Sequence, residues 1–434
     1  MRDQYDAVII GAGVIGAATA YELAKLGYRT LNVDRNPAAG YGPTSNSCAI
    51  VRVYYSTFDG IALAWEGYHY WKDWVKYLEA EDERDLAQFI DCGCVVMKTD
   101  HNGNLEKHLR LSRELGIPCE EWDRSAIRER LPLYDLRRFG PPRAMRDERF
   151  GEPSGGEIEG AVFWPTGGYV SDPQLASRNL QRAAESKGGE FIFRREVVDI
   201  LTAGGRVGGI TLDGGVTVRA PVVVNVSGPH SAVVNAMAEA LGDMTIETKA
   251  LRQEVVHVPA PPGFDLASCG FVVSDSDIGC YTRPETGNHI LIGSEDPECD
   301  PREFVDPDDY VRDLTDQSTV QAFRYGQRVP TLGIPSNLRG VADLYDVTDD
   351  WIPIYDKSCM PGFYMAIGSS GNQFKNAPVA GKMMAALIDY CEGGNDHDVH
   401  PLTLRLDYIG REVNVGFYSR KREINAESSF TVLG

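Results

Sequence analysis

The chain has 434 residues, enough for two or three domains or two interleaved ones, with 43% hydrophobic, 24% charged and 9% aromatic residues. That composition belongs to an ordinary folded protein, without a low-complexity tract or repeat period. A formal net charge of -20, with no basic cluster interleaved with aromatics, argues against nucleic acid as a partner.

At the amino terminus, Tyr5 to Ile10 (YDAVII) predicts a buried parallel strand, followed at once by GAGVIG and a helix-patterned AATAYELAKLG. Gly11 suits a tight turn, Gly13 lets backbone approach a pyrophosphate, and Gly16 lets the helix pack closely on the strand. The helix amino terminus favours negative charge. A second strand, Arg29 to Val33, ends on Asp34, 18 residues after Gly16, near the spacing at which a carboxylate accepts from ribose hydroxyls. A mere strand cap is the alternative role for that acid. With Ile15 inside the turn and Arg35 beyond the strand, the unit is a dinucleotide cradle, but it does not separate NAD from FAD.

No metal site is expected. The nine cysteines are scattered, with only Cys92 and Cys94 close together, so neither a zinc pattern nor a disulfide framework is present. Together with the direct run from Met1 into a strand, without a signal region, this predicts a reducing compartment, most simply the cytoplasm. No apolar run approaches the ~18 residues of a membrane span. The acidic excess around Glu295, Asp296, Glu298, Asp300, Glu303, Asp306, Asp308 and Asp309 reads as a solvated face, because its spacing fits no calcium loop.

Downstream of the cradle, GPTSNSCAIVRVYYS (42–56) resembles the flavin loop of the D-amino-acid-oxidase superfamily of FAD-dependent oxidoreductases. FWPTGGYVSDPQL (163–175) is similar to the stretch where that superfamily's chain returns to its flavin domain. FIFRREVVDI places Val197 where the family packs a valine on adenine, and APVVVNVSGPHS supplies a strand ending at Ser227 and Gly228. GVADLYDVTDDWIPIYD and GFYMAIGSSGNQFKNAPVAGKMMAALI resemble the closing strand, glycine loop and helix. The resemblance spans residues 1 to about 390, and its nearest pattern is the amine-oxidising branch of sarcosine oxidase, glycine oxidase and dimethylglycine dehydrogenase.

The resemblance implies an α/β fold, in which a Rossmann-like FAD-binding domain (1–90, 160–235, 340–395) is interleaved with an α+β substrate domain (91–159, 236–339). That second domain would roof the flavin with an antiparallel sheet. Residues 396–434 would form an extension over a domain edge or a partner subunit. Flavin contacts are implied for Ser45, Ser47 and Cys48 in the early loop and for Gly371, Asn372, Gln373, Phe374 and Lys375 in the late one. Arg52 and Lys375 would grip a substrate carboxylate, and a planar arginine with a point-charge lysine suits that task. Tyr281 and Tyr55 fall at positions lining the substrate face, where core tyrosines are equally in keeping.

Three departures matter. Ala342 stands where sarcosine oxidases tether the flavin through cysteine, and Cys48 stands near the histidine tether of the dehydrogenases, so noncovalent FAD is expected. Leu291 replaces a lysine over the flavin, which makes oxygen the poorer electron acceptor. Glu295 replaces a nearby histidine. The resulting expectation is hydride transfer from an amino acid or N-methylated amino acid, giving an imine that water hydrolyses. Oxidation of a hydroxy acid or glycerol phosphate remains open, as does a non-catalytic FAD-binding subunit or a homo-oligomer.

Overall fold

The computed structural model describes residues 4–432. Its first sheet has six strands in the order Ile354–Lys357, Phe363–Ile367, Val222–Asn225, Ala7–Ile10, Thr30–Asp34 and Glu190–Phe193. All neighbours are parallel except the first pair. Ala7–Ile10 is central, and alternate residues serve two cores. Ala7 and Ile9 face the helices, whereas Val8 and Ile10 face the antiparallel strands Val197–Ala203, Arg206–Leu212 and Thr217–Arg219. Burial on both faces is why this strand reads as an unbroken apolar run.

Helix Val14–Lys25 follows the first strand and packs between Pro173–Ser186 and Ala377–Glu392. The start of Pro173–Ser186 is written locally: the Asp172 side chain accepts from the Leu175 amide and proline occupies the first turn.

The second sheet has nine strands. Eight run Glu303–Phe304, Thr248–Pro259, His289–Ser294, Cys280–Glu285, Val272–Asp275, Cys94–Met97, Gly160–Trp164 and Glu120–Asp123, and Arg339–Thr348 pairs along Thr248–Pro259. The sheet is mixed rather than wholly antiparallel, because Val272–Asp275 runs parallel to Cys94–Met97. Gly160–Trp164 and Arg339–Thr348 pair here, although the expected segmentation gave both to the flavin domain. These two strands thus precede the chain's returns to the first sheet.

The carboxy-terminal segment lies on this chain itself. Buried Glu66 accepts from the amides of Asp407, Tyr408 and Ile409. Arg420 pairs with Asp243, Asp356 and Asp398, and Arg422 with Asp350. From there the chain runs to Val432, which packs with Leu251, Tyr281, Val347 and Trp351. No helix among the described residues is long and apolar enough to cross a membrane.

Candidate active site

Between the two sheets lies a cavity of about 490 Å³, within the roughly 300–1,000 Å³ of ligand pockets. It begins at the carboxyl end of Ala7–Ile10, where the glycine turn meets the helix amino terminus. A Cβ on Gly11 would stand 2.3 Å from the Val226 carbonyl oxygen, and one on Gly16 would stand 2.3 Å from the Gly11 carbonyl oxygen. Gly11 also has φ +114°, a conformation side chains disfavour. Gly13 is different: a Cβ there would meet only the Thr44 hydroxyl, at 3.0 Å, so its small size keeps the cavity open.

Asp34 closes this end. Its Oδ2 accepts from the Ala12 amide and its Oδ1 from the Asn36 amide, both at 2.8 Å. The carboxylate is thereby fixed at the cavity wall with lone pairs to spare. Arg35 reaches across to Asp308 at 2.8 Å, with His230 beside the pair. Val197, Ser227 and Gly228 complete the wall with Ile15.

At the far end, the early loop brings Ser47, Cys48, Arg52 and Tyr55 to the wall, and the late loop brings Gly371, Asn372, Gln373, Phe374 and Lys375. Arg52 and Lys375 converge on one ring: the Arg52 guanidinium lies 4.5 Å and the Lys375 ammonium 4.3 Å from the Tyr55 centroid. Arg52 Nε donates to the Tyr55 hydroxyl at 3.0 Å, its Nη2 donates to the Val432 carbonyl, and its Nη1 is buried without a partner. Lys375 Nζ donates to the Asn372 carbonyl. Neither cation has a carboxylate partner among the described residues. Burial first, and then the Arg52 charge, hold the lysine well below its ordinary pKa.

Tyr281 hangs from the second sheet. A Cβ on Gly293, its cross-strand partner, would lie 2.2 Å from the Tyr281 ring, so only glycine lets the ring lie across that strand. The Tyr281 hydroxyl is 3.5 Å from Cys48 Sγ, and burial raises the Cys48 thiol pKa. Leu291 is buried on the strand that carries Gly293, and its cross-strand partner is a cation, Arg283, whose Nε donates to the Cys48 carbonyl at 2.7 Å.

Every site residue expected from the sequence lines this cavity except Ser45, whose hydroxyl turns back to the Gly42 carbonyl at 2.9 Å. Thr44 takes the place at the wall, accepting from the Val14 amide at 3.2 Å. The acidic run is not one solvated face either. Glu295 is buried against Ser274, Gln253 donates to Asp296, and Asp300 pairs with buried Arg324. Strand pairing carries this segment inward, and charge counting alone has no signal for that. Gln253, Ser274, Arg195, Arg312, Tyr345 and Val432 also reach the cavity, and no sequence motif marks them. Among the described residues no cluster of ligating side chains forms a metal site.

A glycine turn at a helix amino terminus, a fixed acid at the end of the second strand and a roofed cavity define the class as a dinucleotide-binding protein with room for a second ligand. Residues 6–387 match the DAO family, FAD dependent oxidoreductase, and the chain belongs to it. The chain is 24% identical over 420 residues to a glycine oxidase of Geobacillus kaustophilus, covering 95% of this chain and 100% of that protein. It is 24% identical over 390 residues to a sarcosine oxidase subunit beta of Rhodobacter capsulatus, covering 89% of this chain and 85% of that protein. Among solved structures, an L-proline dehydrogenase from P. horikoshii superposes with a TM-score of 0.76 at 19% identity, over 97% of this chain and 98% of that one. The protein is an FAD-dependent oxidoreductase, and the cradle fits that cofactor: the glycines clear its approach and Asp34 presents acceptors to hydroxyls.

Proposed function

We propose that the protein oxidises the C–N bond of a small amino acid or N-methylated amino acid. The observation that carries this reading is the pair of buried cations, Arg52 and Lys375, which meet over Tyr55 without a carboxylate of their own. A buried unpaired cation is costly unless an anion joins it, and a substrate carboxylate supplies one. Oxidation of amino acids and sarcosine by the similar proteins supports the same assignment.

FAD, when bound without a covalent link, supplies the hydride acceptor. The chain's own residues do the rest. Arg52 Nη1 and Lys375 Nζ hold the carboxylate and fix the adjoining carbon. Tyr281 and Tyr345 wall the roof side, and Val432 excludes water from the Arg52 side. Likeness to a protein named as a subunit supports a second reading, a chain that works with a partner.

Anaerobic mixing of the yellow protein with glycine, sarcosine, L-proline, D-alanine and glycerol 3-phosphate tests these readings. Bleaching by an amino acid alone is the expected result. Bleaching by the phosphate ester instead assigns a hydroxy substrate, and no bleaching by any of them favours the subunit reading.

A further inference from the structure

The roof of the cavity carries a polar pair that the carboxylate anchor does not use. Cross-strand partners share one face of a sheet, so Val255, Gly293, Tyr281 and Ser274 form a row across four adjacent strands, on the face that meets the cavity. Glu295 stands two residues beyond Gly293 and follows that face. It is only 6% exposed, its Oε1 accepts from the Ser274 hydroxyl, and its Oε2 is buried without a partner. Ser274 itself lines the cavity. The chain therefore places a buried carboxyl one hydroxyl away from the substrate space.

We propose that Glu295, acting through Ser274, takes up the proton that a substrate ammonium must lose before its C–N bond is oxidised. This rests on the amino-acid reading of the site. An amino acid arrives at neutral pH chiefly as its ammonium form, and its nitrogen lone pair has to be free when the carbon gives up hydride. The Ser274 oxygen accepts a proton from nitrogen as its own proton passes to Glu295. An N–H bond and the serine O–H bond break, a new serine O–H and a carboxyl O–H form, and no electrons change hands. Ammonium and carboxylate become amine and carboxylic acid.

Of the carboxylates on the wall itself, Glu196 is exposed, and the two buried or half-buried ones nearest the late loop are already committed. Asp346 accepts from Ser231 and the Gly368 amide, and Asp343 accepts from Asn46 and Tyr310. The groups facing Glu295 are Arg52 and Tyr54 from the early loop, Ser274 and Asp275 from one strand, and Cys280 from the next. Burial pushes the Glu295 carboxyl up to about 8, against the pull of the Ser274 hydrogen bond; Asp275 adds to the rise and Arg52 opposes it. A carboxyl poised there is mainly protonated at about pH 7 and gains its base form as pH rises through about 8, a range in which the substrate nitrogen still arrives as ammonium.

The test is the anaerobic bleaching rate of Glu295→Gln, Ser274→Ala and wild type between about pH 6 and pH 10, with whichever of glycine, sarcosine, L-proline or D-alanine reduces wild type fastest. Each variant is expected to lose ~10²-fold at about pH 8 to 9, where the carboxylate is formed and the substrate is still an ammonium, and to recover most of it near pH 10, where the amine arrives neutral. FAD content should stay unchanged. A profile matching wild type, or a loss that persists undiminished at the alkaline end, overturns the proposal while leaving the amino-acid reading intact. If none of the four bleaches wild type, it is the amino-acid reading that fails, and the proposal falls with it. Should Glu295→Gln not retain FAD, Ser274→Ala decides alone, since it leaves the buried carboxyl in place.

Discussion

At the glycine-turn end of the cavity, both Asp34 oxygens are held by backbone amides, Thr44 accepts from Val14, and Arg35 is paired with Asp308. At the opposite end, Arg52 Nη1, Glu295 Oε2 and Asn372 Nδ2 are buried with no partner, and Lys375 rests on a carbonyl and an aromatic face. The first end is complete before any ligand arrives. The second keeps costly groups unmatched, as binding sites do when a ligand is to supply the missing partner. One end depends on shape, the other on charge, and substitutions should separate them.

The largest expected effect is at the shape-dependent end. Gly16→Val places a side chain into the Gly11 carbonyl, where even a Cβ would stand 2.3 Å away. Backbone has to shift, at a typical overpacking cost of about 1–3 kcal/mol, and the cradle is distorted. The expected product carries no flavin, read from the ratio of flavin to protein absorbance. A yellow, fully loaded variant would show that the close packing of helix on turn is dispensable.

Next comes the charged end. Arg52→Ala should lose about one to two orders of magnitude in kcat/KM on an amino acid, from roughly 1.5–3 kcal/mol for a charged hydrogen bond, but little on the decarboxylated amine. Arg52→Lys should also be impaired, because an ammonium cannot reproduce the planar fork. FAD content should hold in both. Equal losses on acid and amine would reassign Arg52 to support of Tyr55 and the loop.

The contrast between the ends also explains what the sequence discloses. The glycine-turn end is local: strand, turn, helix and acid fall within residues 5–34, Gly16 answers the Gly11 carbonyl within the turn, and Gly11 answers Val226 just past the neighbouring strand. Arg52 and Lys375 were legible only through resemblance, since nothing in their spacing places both over Tyr55. Glu295 and Ser274 were not legible as a pair, because register across three strands brings them together. The acidic run around Glu295 was misread for the same reason. Val432 at the Arg52 side chain, 380 residues away in sequence, has no local signal at all.

A smaller effect should sharpen the electrostatic half of the comparison. Burial and Arg52 hold Lys375 well below its ordinary pKa, so an anion that joins the pair raises that pKa and favours uptake of a proton from solvent. Acetate binding should therefore weaken as pH rises through the folded pKa of Lys375. Calorimetry in two buffers of different protonation enthalpy should register proton uptake, lost in Lys375→Met. The sign for stability is opposite. Because the unfolded chain binds this proton more readily, the lysine destabilises the fold below its ordinary pKa, and the penalty is relieved as pH rises. Lys375→Met should raise the thermal midpoint of the flavin-free protein at neutral pH while activity falls. A lowered midpoint would mean that the ammonium is a structural tie between the late loop and Tyr55.

The smallest expected effect is at Cys48, where the two ends of the cavity meet along the early loop. Its sulfur lies on the wall, 3.5 Å from the Tyr281 hydroxyl, and is the one residue near a tether position with the chemistry to bond carbon. Attack requires thiolate, and burial raises this thiol's pKa despite the opposing Arg283 charge. The cysteine is then a small packing group in an apolar setting. Acid precipitation of wild type should leave all the flavin in the supernatant as intact FAD. The polypeptide should keep the mass of the unmodified chain, 47.8 kDa. Cys48→Ser should match wild type in flavin content and in bleaching rate, because the hydroxyl preserves the contact with Tyr281. Flavin that stays with the precipitate in wild type and is released in Cys48→Ser would establish a cysteinyl link, and would make this loop a reactive element of the site instead of a fitted wall.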